Sequence, residues 1–119
     1  MRQLLLAGLG LSLVLWSGAA AAQAAGAKGD AANGQKLFMA DGCYQCHGTV
    51  GQGSRGTGPR LAPKPLPYDA FAKQVRDPVN VMPPYTTVVL ADKDLGDIYA
   101  YLQTVPPPPD LKDVTILNH

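Results

Sequence analysis

The sequence predicts an all-α domain of three to four short helices joined by long loops. Two observations carry this. Apolar residues recur at helical spacing in separate stretches that begin at Asp residues and stop at Gly or Pro. Between them run Gly- and Pro-rich segments in which no helical or strand period survives.

The first helix is expected over residues 31–40, AANGQKLFMA, with Gly34, Leu37 and Phe38 on one face. Asp30 is placed to accept hydrogen bonds from the free amides of the first turn, and Gly42 to stop the helix. A second, shorter helix is expected from an Asp69 cap to Arg76, with Phe71 and Val75 four apart on its inner face. Asp77-Pro78 ends it, because proline disfavours helix in the residue before it. The strongest stretch is ADKDLGDIYAYLQTV, residues 91–105. Asp92 and Asp94 stand at its N-terminal end, where the macrodipole favours carboxylates. Leu95, Ile98, Leu102 and Val105 form its apolar stripe, flanked by Tyr99 and Tyr101. Gly96 is its weak point, costing about 1 kcal/mol against Ala if it faces water.

The first quarter of the 119-residue chain reads differently. Arg2 precedes an uncharged stretch, residues 3–25, whose apolar middle gives way to Ala22-Gln23-Ala24. Basic start, apolar middle and small-residue site are the layout of a secretory signal peptide, so residues 1–25 are expected to be removed. A retained leader would instead be a membrane anchor, since about 20 apolar residues can span a bilayer. Three segments follow: the leader 1–25, a domain over 26–105, and an extension over 106–119. The extension opens with four prolines, expected as a stiff polyproline II run. It ends in a tail in which Val114, Ile116 and Leu117 stand among polar neighbours.

Ten Lys and Arg face nine acids, all of them Asp. Removal of Arg2 leaves the mature chain formally neutral, which argues against nucleic acid or an anionic membrane as partner and against strong long-range steering.

Two cysteines, Cys43 and Cys46, are followed at once by His47. Cys-x-x-Cys-His is the attachment signature of a c-type haem. Two thiols at this spacing form thioether bonds to the two vinyl groups of one haem, and the next histidine is held beneath the iron. Three alternatives explain the residues less well. A thiol–disulfide motif opens a helix after a strand, whereas these cysteines follow a helix. A zinc site lacks a fourth ligand, His119 being the other histidine. A structural disulfide gives His47 no role. Haem also answers a packing problem, because short helices and long loops leave few apolar residues for a core in so small a domain.

For the sixth iron position the mature chain offers two methionines. Met39 is four residues before Cys43, too close to reach the opposite haem face. Met82 lies 35 residues after His47, before Pro83-Pro84, in a loop that proline restricts. A thioether suits low-spin iron and raises its reduction potential. Alternatively, Met82 fills the pocket and the sixth site stays open, as in a haem enzyme or a gas or redox sensor.

With these motifs in order, the sequence resembles the single-haem class I cytochromes c of bacteria. The resemblance spans about residues 30–105. It rests on Gly34-x-x-Leu37-Phe38, Cys43-Tyr-Gln-Cys-His47, Gly58-Pro59-x-Leu61, Val75-Arg-x-Pro78 leading to Met82-Pro-Pro-Tyr85, and Asp94 to Leu102. It implies the small cytochrome c fold, wrapped around one covalently bound haem c. It implies His47 and Met82 as iron ligands. The Pro59 carbonyl would accept the other ring N–H of His47. Leu61, with Phe38, Leu95, Ile98 and Leu102, would wall the haem, and Gly34 would approach an aromatic of the last helix, expected to be Tyr101. The expected function is one-electron transfer in the periplasm, in respiratory electron transport. The protein would act as a soluble carrier or as the cytochrome subunit of a dehydrogenase, with a dehydrogenase, oxidase or reductase as redox partner. The extension past residue 105 departs from the family pattern.

Overall fold

The computed structural model describes residues 29–117. The expected leader, its cleavage site and His119 lie outside them. Four helices follow in order: α1 (Ala31–Ala40), α2 (Tyr44–His47), α3 (Tyr68–Arg76) and α4 (Asp92–Thr104). No strand forms among the described residues, apart from one isolated bridge between Ser54 and Gly58. No described helix is long and apolar enough to cross a membrane.

Helix α1 starts where Asp30 accepts from the backbone amides of Ala32 and Asn33 at 3.0 and 3.1 Å. It stops at Gly42, whose φ of +78° a side chain would strain. Helix α3 starts two residues earlier than expected. Pro67 occupies the cap position, so Asp69 lies in the first turn and faces the helix dipole rather than capping. Helix α4 stops at Thr104, before the run of prolines.

The core forms where α1 crosses α4. Phe38, Leu95 and Leu102 are fully buried, each contributing roughly 1.5–3 kcal/mol by removal from water. The crossing is tight at Gly34, where an added Cβ would overlap the Asp97 carbonyl. Gly34 therefore lies against the backbone of α4 at Asp97 and Ile98. Tyr101 packs one turn further on against Phe38, with ring centroids 5.7 Å apart. Gly96 is buried; a Cβ at Gly29 would overlap its carbonyl, so bare backbone is required there. On the other side of α4, Tyr99 meets Tyr68 and Phe71 of α3, both at 5.2 Å.

A polar latch holds the same crossing. Asp97, 2 % exposed, accepts from the Asp30 amide and the Asn33 side chain, both at 2.8 Å. Lys93 completes the set at 2.6 Å. These donors, led by Lys93 and Asn33, hold the Asp97 carboxyl down at about 2.

Past α4, Pro106–Asp110 is exposed, and two 3-10 turns follow, Leu111–Asp113 and Thr115–Leu117. Leu111 and Ile116 stay exposed, so these apolar tail side chains do not strap onto the domain.

Candidate haem-attachment site

The segment that carries the cysteines is a turn closing into α2. Cys43 ends the turn after Gly42, and Cys46 and His47 fall in the short helix that it opens. His47 amide donates to the Cys43 carbonyl at 3.0 Å, which puts the thiols and the imidazole on one compact unit. Both cysteines are free thiols. Burial, reinforced by the Asp41 charge, pushes the Cys43 thiol up to about 11, so it stays protonated at neutral pH.

His47 is buried, and its Nδ1 lies 2.8 Å from the Pro59 carbonyl. A carbonyl can only accept, so Nδ1 carries a proton, and in the neutral ring Nε2 is the nitrogen that holds the lone pair. Three further bonds fix this approach. Gly53 amide donates to the His47 carbonyl at 2.7 Å, Ser54 amide to Gly58 at 2.9 Å, and the Thr57 hydroxyl to the Cys46 carbonyl at 2.9 Å. Gly58 lets the loop close, because a Cβ there would stand 2.8 Å from the Cys46 carbonyl and 3.0 Å from His47 Nδ1. Behind it the loop is tied to itself, with the amides of Leu61 and Ala62 donating to Gly51 at 2.8 and 3.0 Å.

Met82 is half-buried against the core, as are Leu37, Cys43, Leu61 and Tyr85. Met39 is exposed on α1. The Met82 loop is pinned three residues later, at Tyr85. Its amide donates to the Val75 carbonyl at 3.0 Å, its carbonyl accepts from Arg76 at 2.7 Å, and its hydroxyl donates to the Asp41 carbonyl at 2.8 Å. Arg76 also pairs with Asp92 at 2.7 Å, joining the end of α3 to the start of α4. The Gln74 amide approaches the Met82 sulfur at 4.0 Å, a long N–H···S contact.

This donor set fits a haem. Two free thiols on one turn, an imidazole with an uncommitted Nε2, a thioether on a pinned loop and a border of half-buried apolar side chains are what attachment requires. Tyr85, Gln74, Thr57 and Gly58 were given no individual role by the sequence. Tyr85 and Gly58 stand inside the quoted motifs, which is the one signal that pointed to them. Gln74 and Thr57 act through polar atoms on no apolar stripe, and nothing in the spacing marks them.

Fold and donors together define a small all-α c-type haem protein. The family model described as Cytochrome C oxidase, cbb3-type, subunit III matches residues 29–102. The chain is also 36 % identical over 90 residues to cytochrome c-555 of Methylococcus capsulatus, a match covering 72 % of each chain. No solved structure gives a significant match. The chain belongs to the cytochrome c family, among its single-haem class I members. It is a haem c-binding electron-transfer protein.

Proposed function

We infer that the protein is exported, carries one haem on Cys43 and Cys46, and passes single electrons in the periplasm with His47 and Met82 as the axial ligands. The observation that carries this reading is the 2.8 Å contact between His47 Nδ1 and the Pro59 carbonyl. It fixes the tautomer and ring orientation that leave Nε2 for iron, and it raises the basicity of that nitrogen. When bound, the haem supplies a one-electron ferric/ferrous couple.

The chain's own residues do the rest. Cys43 and Cys46 hold the group covalently, so it is not lost in a dilute compartment. Met82, restrained by Pro83-Pro84 and by the bonds of Tyr85, offers a neutral thioether at low entropic cost. Phe38, Leu61, Leu95, Ile98 and Leu102 exclude water, and an apolar shell favours the less charged ferrous state. With His47 and Met82 both holding the iron, the group would offer no open position to a substrate.

The test is Met82→Ala. It is expected to bind cyanide or azide far more tightly than the parent protein. Equal affinity would remove Met82 from the sixth position and favour the enzyme or sensor reading. A freely diffusing carrier and a dehydrogenase subunit use the same chemistry; co-migration with a candidate enzyme on a sizing column distinguishes them.

A further inference from the structure

Asp41, at the C-terminal cap of α1, carries a charge that its surroundings do not support. The residue is half-buried. Its Oδ2 is closed to solvent and accepts no hydrogen bond, the only such side-chain atom among the described residues. No Lys or Arg among them forms an ion pair with it. Buried polar atoms without a partner are rare, and each costs stability. The end of a helix adds to the cost, because the macrodipole there disfavours a carboxylate. Desolvation first, then the Asp94 charge, holds the Asp41 carboxyl above the usual 3.8.

This carboxylate stands between the two halves of the haem site. It lies two residues before Cys43, and its charge is felt at that thiol. Its backbone carbonyl accepts from the Tyr85 hydroxyl at 2.8 Å, on the loop that carries Met82. Three titratable groups face it: Asp94 from α4, Tyr85 from the Met82 loop and Cys43 from the attachment turn. Thioether formation removes the thiol from that set and leaves no positive group to offset the charge.

We propose that Asp41 tunes the reduction potential of the haem: its ionised carboxylate favours the ferric state, and its protonation in mild acid raises the potential. This rests on the electron-transfer reading given above. A charge that neither a cation nor a hydrogen bond offsets is poorly screened, so it responds strongly to a change of charge nearby. Reduction removes one positive charge from the iron and tightens the hold of Asp41 on a proton. Oxidation loosens it. In acid, oxidation therefore sends one electron to the redox partner and releases the Asp41 proton to water. At higher pH the carboxylate is ionised in both states, and the electron moves alone.

Two measurements on the mature holoprotein test this. In the first, carboxyl carbons of the aspartate-labelled ferrous protein are followed by NMR against pH, with the Asp41 signal identified by its loss in Asp41→Asn. It should titrate above 3.8. In the second, voltammetry records the midpoint potential against pH. The parent potential should rise as pH falls through that titration, the ferrous-to-ferric ratio shifting roughly threefold to tenfold. Asp41→Asn should sit at the raised value and show no step. Asp94→Asn should keep the step and move it to lower pH, which a merely structural role for Asp41 does not predict. A parent potential flat with pH, or an Asp41 carboxyl titrating at or below 3.8, would overturn the proposal. So would a step that persists in Asp41→Asn, which would assign it to the carboxylates of the haem itself. Failure to cycle reversibly between ferric and ferrous would instead reject the electron-transfer reading, since the carboxyl titration needs no redox step.

Discussion

Asn33 of α1 donates its side-chain amide to the buried carboxylate of Asp97 in α4 at 2.8 Å. The contact ties the two crossing helices together, and Asp97 also receives the Asp30 amide. Replacing Asp97 by Ala leaves these part-buried donors without their acceptor. Urea unfolding of Asp97→Ala should show a loss of about 2–4 kcal/mol. A loss within error of zero would mean that the latch carries no stability.

The same carboxylate sets an acid limit. Its ordinary value of 3.8 falls to about 2 in the fold. The unfolded chain thus takes up the proton first as pH falls. The stabilisation is fully present above the unfolded value and is lost as pH drops through the folded one. Parent stability should fall more steeply than that of Asp97→Asn between pH 3.8 and about 2, read from denaturation midpoints at each pH. Asp41 acts with the opposite sign: desolvation first, then the Asp94 charge, raises its carboxyl, so protonation there relieves the fold.

Gly34→Ala tests the helix crossing directly. The new Cβ would overlap backbone, which cannot rotate away as a side chain can. The helices must separate, at a cost of roughly 2–3 kcal/mol. An unchanged denaturation midpoint would contradict the tight crossing.

Tyr85→Phe removes the hydroxyl that joins the Met82 loop to the end of α1. Stability should fall by about 1 kcal/mol. Because the same bond restrains Met82, cyanide should bind faster to the ferric variant than to the parent. A stability loss without a change in cyanide binding would separate Tyr85 from the methionine.

Helices α1, α3 and α4 and the attachment motif are legible in the sequence because each is written locally, whereas the four residues of α2 are too few to show a period. Asp30 caps and Gly42 stops within a single stretch, and Cys43, Cys46 and His47 are nearly contiguous. What escaped depends on distant partners. Asp97 lies in the middle of a helix, and a carboxylate there reads as solvent-facing. Its burial is set by Asp30 and Asn33, more than sixty residues earlier. The bare backbone at Gly29 is hidden for the same reason, because the Gly96 carbonyl that requires it lies in a distant helix.

The most direct test is the absorption spectrum of the mature protein, produced in cells that attach haem and recorded oxidised and then reduced. The account predicts sharp low-spin bands, haem that resists extraction, and the weak far-red ferric band of methionine–iron ligation. A high-spin ferric spectrum that shifts at low concentrations of cyanide or azide would contradict it, leaving the sixth position open.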